Sequence, residues 1–492
     1  MAERSSLNRR AAALSPEQQA LLVRRLASRR SADPALDEQG VVTGPVPLLP
    51  VQRRVLRMFD MYGLDPKRHC VVDLNRVRRP LDPGLLALAL RRVLVQHDAL
   101  RSRFERAEDG WRQHVVEPDD AVPFRHVDLG HLPAAERPGA LEATSVELQD
   151  GMDLGAGPLI QVALFDMGDG ELQRLLLVVH HLVSDAISMA IIAQDLWTAY
   201  QQLERGEPVL LLPKTTSVKR WAEHLVRLAN SPEFQPDADY WLGLPWSDVR
   251  PLPIDHPELA GGPPSPRQAL LWLDHDRTRD LERGVAAGGD IGVLDVIHTA
   301  LARAFNAWTG DPLLVLAALG HGRDQLFPGL SLARTVGHLT SQPSLLLRTE
   351  ATDTPEASLR DIAAQRRRIP TGGIGFELLV SCCEDPAVVA RMQRVPRTHV
   401  AFNFVGHHTG HFFAPVTAQG SVFEPTDERR GDTRALPGTW SSWLTLVHAG
   451  VTDGRLWVSW SYCERAFEEA TVSRLVGAFE SNLNELIDVL RR

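Results

Sequence analysis

The stretch LLVVHHLVSDAIS, residues 176–188, decides how the chain is read. Its first half is a continuous apolar, β-prone run of the kind that makes a buried strand, while AISMAIIAQDLWTAYQQLERGE, from Ala186, repeats apolar residues at helical spacing. His180, His181 and Asp185 therefore fall at a strand-to-helix turn, where a rigid scaffold can present polar groups to a ligand without opening its core. A single histidine beside a strand is ordinarily a hydrogen-bonded core or rim residue, so the pair alone assigns no chemistry.

Working outward, 492 residues exceed the size at which one core stops growing, which implies two domains or two halves sharing a cleft. A hydrophobic share of 44% and a charged share of 23% are those of an ordinary globular protein. The formal net charge of −9 argues against nucleic acid as a partner. The positive charge is nearly all arginine, with Lys67, Lys214 and Lys219 the lysines, so a local patch for a phosphate-bearing arm or an acidic protein surface stays open. Cys70, Cys382, Cys383 and Cys463 lack metal-ligand spacing, and the expectation is reduced thiols, no metal and a cytoplasmic protein. No apolar run is long enough to span a bilayer and the N-terminus lacks the hydrophobic centre of a secretion signal, so no membrane association is expected.

Residues 1–43 read as an appendage: Ser15, Pro16 and Gln18 start one amphipathic helix, and a Pro/Gly-punctuated linker follows. From Val46 onward strands alternate with helices, as in an α/β fold; Asp82 and Pro83 start one of those helices. A faint internal echo links DGELQRLLLVVHHLVSDAIS, from Asp169, to DGRLWVSWSYCERAFEEA, from Asp453: an Asp-Gly turn, a strand, a polar corner and a helix, with Glu464 where the first copy has His180. The Pro/Gly-rich stretch at 252–268 places a boundary between halves at 44–250 and 251–492.

Several motifs now stand in a recognisable order. The chain resembles the condensation superfamily of nonribosomal peptide synthetases, whose His-His-x-x-x-Asp-Gly signature is met by His180, His181 and Asp185, with Ala186 in place of glycine. VPLLPVQRRVLRMF (46–59), QHDALRSRF (96–104) and RTVGHLTSQPSLLLR (334–348) are similar to further motifs of that family. LGHGR (319–323), IPTGGIGFELL (369–379) and AFNFVGHH (401–408) resemble its epimerization branch. The resemblance implies an α/β fold of two chloramphenicol-acetyltransferase-like halves in a V-shaped arrangement with an active-site tunnel between them. It also implies carrier proteins at the tunnel mouths, each inserting a 4′-phosphopantetheine arm that bears a thioester; the chain itself is expected to bind no cofactor.

On the same resemblance His181 is the catalytic base, while His180, Asp185 and Arg323 are structural, the aspartate pairing with the arginine to fix the loop. Ser184, Asn403 and His321 are candidate tunnel-lining residues. Gly372, Gly373 and Gly375 are expected to be turn glycines, and Arg366 to Arg368 a solvated helix face.

Two departures separate the chain from the epimerization pattern: Leu319 replaces its glutamate and His338 its tryptophan. Epimerization removes a proton from one face of a carbon and returns one to the other, ordinarily with two titratable groups, and leucine cannot titrate. The expected function is therefore condensation: a free-standing enzyme joins a carrier-bound aminoacyl or acyl group to an amine or alcohol acceptor, tethered or small. Epimerization of a carrier-bound thioester and a catalytically silent recruitment module are the alternatives. The absence of a G-x-S-x-G elbow, an H-E-x-x-H helix and a Walker loop argues against hydrolase, metalloprotease and ATPase classes.

Overall fold

Asp82 and Pro83 begin a helix for simple reasons: the Asp82 carboxylate accepts the Leu85 N–H at 2.8 Å, and proline in the first turn forfeits no hydrogen bond. In the computed structural model residues 38–108, 110–258, 266–287, 289–407, 422–430 and 443–491 are described. The helix expected from Ser15 lies outside the described residues.

In chain order the first elements are β1 (Gly44–Val46), α1 (Pro50–Tyr62), β2 (Cys70–Val77), α2 (Pro83–Gln96), β3 (Ser102–Ala107), β4 (Gly110–Val115), β5 (Phe124–Asp128), α3 (Arg137–Asp150), β6 (Ile160–Asp166), β7 (Gln173–His180), α4 (Ala186–Glu204) and α5 (Val218–Ala229). They are followed by α6 (Gln235–Gly243), β8 (Pro266–Trp272), α7 (His275–Ala287), α8 (Val293–Thr309), β9 (Leu313–Leu319), β10 (Ser344–Arg348), α9 (Pro355–Arg367), α10 (Ile374–Ser381), α11 (Pro386–Met392), β11 (Val400–His407), β12 (Phe423–Pro425), β13 (Thr445–Thr452), β14 (Arg455–Cys463) and α12 (Glu469–Leu490).

These elements form two compact units. The first takes the described residues up to Leu225 together with Arg323–Leu339 and residues 422–430; the second takes the remainder. The units thus interleave along the chain, whereas the Pro/Gly-rich stretch at 252–268 marks a single cut in the sequence.

The first unit holds a five-stranded sheet in the order β12-β2-β7-β6-β5 and a three-stranded sheet β1-β4-β3. Strand β7 is paired antiparallel on both sides, Cys70 lying opposite His180 on β2 and Ile160 opposite Val179 on β6. Leu176 and Val178 pack with Leu141, Leu148 and Met152 around α3, and the alternate residues Leu175, Leu177 and Val179 are equally buried. A central strand covered on both faces reads as an unbroken apolar run, which is why residues 175–179 show no alternation. The segment after the edge strand β12 is tied to β7 by an ion pair between Arg174 and Glu428, Nη2 to Oε1 2.7 Å, and the nearby guanidinium holds the Glu428 carboxyl below its usual range.

The second unit carries a six-stranded mixed sheet, β10-β9-β11-β13-β14-β8, in which β11 runs parallel to β9 and β13. Trp460, fully buried on β14, stacks on Phe305 of α8 and meets Phe479 of α12 edge-on. Two expectations are corrected here. Gly375 is no turn glycine: it lies inside α10, where a Cβ would collide with Asp237 and Trp241. Arg366 is only partly solvated, since it pairs with the buried Asp295 in the first turn of α8, whereas Arg367 and Arg368 are exposed as expected. The two Asp-Gly turns do share a geometry, with φ of 51° and 75° at Asp169 and Gly170 and of 50° and 70° at Asp453 and Gly454. That left-handed backbone matches the twist of the antiparallel hairpins β6/β7 and β13/β14.

Candidate active site

The apolar run of β7 stops at His180, a short 3-10 turn covers His181–Val183, and Asp185 caps α4 by accepting the Ser188 N–H at 2.8 Å. The histidine pair is thus set by two rigid elements one turn apart. His180 is fully buried and both its nitrogens are engaged. Its Nε2–H donates to the Pro66 carbonyl at 2.8 Å and its Nδ1 accepts the Leu182 N–H at 3.1 Å. Burial pushes this imidazole down to about 4.

That shift has a consequence for stability. The ordinary histidine value is 6.5, so as pH falls below it the unfolded chain takes up a proton that the buried ring refuses until about pH 4. Stability contributed by His180 is therefore present at pH 7, is lost between about 6.5 and 4, and levels off below. The loss is on the order of 3 kcal/mol at 1.36 kcal/mol per unit. Denaturant unfolding at pH 7 and pH 4.5 checks this; equal stability at the two values would contradict it.

His181 is held differently. Its backbone N–H donates to the His69 carbonyl at 2.7 Å, and its Nδ1 lies 2.7 Å from the Ser184 carbonyl oxygen. A carbonyl only accepts, so Nδ1 carries the hydrogen and, in the neutral ring, Nε2 keeps the lone pair. Ser184 itself is fully buried with its Oγ donating to the His180 carbonyl at 3.1 Å. It serves through its carbonyl and presents no hydroxyl to a ligand, which differs from the lining role expected of it.

Asp185 does not touch His181; its carboxylate is saturated by other donors. Arg323 gives two, Nη1 to Oδ2 at 2.8 Å and Nη2 to Oδ1 at 2.9 Å, and the backbone N–H groups of Ser188 and Leu339 give two more. Arg323 also reaches Ser188 Oγ and the Thr335 carbonyl. Ser188 Oγ then donates to the Gly337 carbonyl and accepts the Gly337 N–H. Glycine is required at 337, since a Cβ would come within 2.7 Å of Val218. Buried charge survives in a fold when it is paired and hydrogen-bonded, and the Asp185 carboxylate meets that condition. Ala186 is the first residue of α4, where the backbone is helical and no glycine is demanded.

The segment Arg323–Leu339 brings His338 against His181, with ring centroids 4.4 Å apart and planes at 29°. His69, at the entrance to β2, stacks on His181 at 4.9 Å and 20°. Burial pushes His69 and His338 well below the usual histidine range. In sequence His338 stood out as a departure from a motif, and nothing marked His69. Cys70, which faces His180 across the β2/β7 ladder, offers no nucleophile: burial pushes its thiol up to about 12.

Of the residues singled out in sequence, His180, His181, Ser184, Asp185 and Arg323 come together in the first unit. Asn403 and His321 belong to the second. There Leu319 ends β9 directly opposite Asn403 on β11, which is opposite His448 on β13. Burial lowers the His448 imidazole. His321 is exposed in the loop after β9. Among the described residues no helix is long and apolar enough to cross a membrane.

Comparison with known proteins gives this geometry its setting. The condensation domain family model matches residues 42–491. One of the linear gramicidin synthase proteins of Brevibacillus parabrevis is 34% identical over 451 residues, which is 92% of this chain and 8% of that protein. The chain thus spans under a tenth of that relative. Among solved structures, the epimerization domain from the third module of tyrocidine synthetase B aligns with a TM-score of 0.78 and 27% identity, covering 92% of this chain and 99% of that one. The SgcC5 protein of Streptomyces globisporus aligns with a TM-score of 0.66 at 20% identity over 90% and 98% of the two chains, a likeness of fold. A family model that runs nearly the whole length, over a strand-to-helix turn built around His180, His181 and Asp185, places the chain in the condensation domain family of nonribosomal peptide synthetases.

Proposed function

We propose that the chain joins a carrier-bound aminoacyl or acyl thioester to an amine or alcohol acceptor, forming an amide or ester bond, with His181 as the base. The observation that carries this reading is the fixed tautomer of His181: Nδ1–H is committed to the Ser184 carbonyl, and Nε2 keeps its lone pair. One such nitrogen is enough for this chemistry. The acceptor nitrogen or oxygen forms a bond to the thioester carbonyl carbon, its proton passes to Nε2, and the C–S bond breaks with the proton delivered to the departing thiolate. Holding both reactants in place supplies much of the rate, since tethered groups react as if intramolecular. His180 and Asp185, whose polar atoms are already engaged, hold the turn rather than handle the proton. The donor would arrive on the 4′-phosphopantetheine arm of a carrier protein, so the chain needs no cofactor of its own.

The likeness to an epimerization domain at 27% identity favours a second reading, epimerization of a carrier-bound aminoacyl or peptidyl thioester. Against it, Leu319 brings no titratable group to the end of β9. The titratable side chain in that row of the sheet is His448, two strands away, and it is the first residue to test if exchange is found.

One experiment separates the two. An aminoacyl-loaded carrier protein, supplied as a separate chain, is incubated with the protein in deuterated buffer, with and without a panel of amines and alcohols, and followed by intact-mass spectrometry. Condensation predicts acceptor-dependent loss of the tethered acyl group, a new coupled product and no deuterium in the α-position. Deuterium gain without any acceptor would overturn it in favour of epimerization.

A further inference from the structure

His181 has a neighbour on each side that the proton-transfer reading leaves unused. His338 stacks on its ring at 4.4 Å and His69 at 4.9 Å, both close to parallel. Among the described residues no ring contact joins His69 to His338, so the two flank His181 instead of crowding one face of it. Both are costly residues to place here. His338 is 5% exposed, and its Nδ1 and the enclosed Nε2 of His69 have no hydrogen-bond partner among the described residues. An apolar ring would fill either place without that cost, so what each position gives His181 is a flat face and not a polar atom.

We infer that His338 and His69 are positioning residues, which clamp the faces of the His181 imidazole so that its Nε2 stays aimed in one direction. The inference rests on the reading of His181 as the proton acceptor. The Ser184 carbonyl anchors the ring in its own plane through Nδ1, but one hydrogen bond leaves the ring free to rock about that bond. Two stacked rings remove that freedom. A base that strays by about 1 Å from its reacting proton loses on the order of 10²-fold in rate, which is the penalty the clamp avoids.

Flat aromatic shape is what the clamp requires, and the ring nitrogens are incidental. The charged and titratable groups near the stack agree with this. Burial above all, with His181, His69, Arg54 on α1 and Arg323 beside His338 and with His181 and His180 beside His69, opposes a positive charge on either flanking ring, and the four donors around Asp185 already engage its carboxylate. The flanking rings are accordingly held neutral, so neither repels a His181 that has just accepted a proton.

The test uses the full chain labelled with 15N-histidine. His181 is assigned by the loss of its signals in a His181→Gln variant, and the order of its ring is read by 15N NMR relaxation without any substrate; kcat and KM for coupling are measured alongside. His338→Ala is expected to keep the Nδ1–H tautomer that the Ser184 carbonyl holds, to loosen the His181 ring and to lower kcat about 10- to 100-fold with KM changed less than about threefold. His338→Phe is expected to recover both, because phenyl restores the stacking face. Two results overturn the clamp: an alanine variant with kcat within about twofold of the parent and an unchanged ring order at His181, or a phenylalanine variant as impaired as alanine, which would mean that a ring nitrogen is needed. If the alanine variant fails to fold, His338→Phe decides alone: the parental ring order and kcat support the clamp, and their loss overturns it. Should the parent protein show no coupling with any acceptor, the proposed function fails, and the ring order of His181 in the two variants still decides whether the clamp exists.

Discussion

His181→Ala is expected to lower coupling by about 10²- to 10⁴-fold in kcat, the range typical for loss of a positioned general base. The fold should survive this change. The His181 side chain makes one hydrogen bond, to a carbonyl that can be rehydrated, and the residue is only partly buried. KM for the loaded carrier should stay near that of the parent, because docking and tethering do not depend on the ring. The residual activity reports what alignment alone provides. Unfolding by denaturant and the coupling rate are measured on the same preparation. Full activity in the alanine variant would remove His181 from the chemistry, whereas a collapsed fold would show that its role is structural.

The second large effect concerns stability. Arg323→Met leaves the Asp185 carboxylate buried with two backbone donors and no counter-charge, and an uncompensated buried charge costs about 3–5 kcal/mol. Asp185→Ala should cost at least as much: it strands the guanidinium, removes the cap of α4 and leaves the Leu339 N–H without its acceptor. Replacing both partners by apolar residues should recover part of the loss, since the desolvation penalty disappears with the charges. Denaturant midpoints for the two single variants and the double variant check this through the coupling energy. If Asp185→Ala kept its stability and lost only kcat, the carboxylate would have to be assigned to the reaction itself.

Network geometry also explains why these two predictions fall on different observables. Asp185 spends its acceptor capacity on Arg323, Ser188 and Leu339, and His180 spends both nitrogens on Pro66 and Leu182. Each is buried and fully partnered, so removing either exposes a cost of folding. His181 keeps one basic nitrogen uncommitted, so its removal is felt in the reaction.

The sequence by itself determined the local frame. Residues 175–179 form an unbroken apolar run because β7 is covered on both faces; Asp82 and Asp185 cap helices because a short carboxylate reaches the N–H three residues on. The order of motifs was enough to expect His181 as the base and Asp185 as the partner of Arg323. Periodicity and caps act over one or two turns of chain, which is why they can be read without a fold. What only the tertiary structure decided depends on residues far apart in the chain. The segment Arg323–Leu339 enters the first unit and sets His338 on His181 across more than 150 positions, and His69 arrives from the turn before β2. No local rule couples such positions. Ser184 turns its carbonyl, not its hydroxyl, toward the histidine, and Gly375 proves to be a packing glycine, because both outcomes depend on which neighbour the fold presses against them.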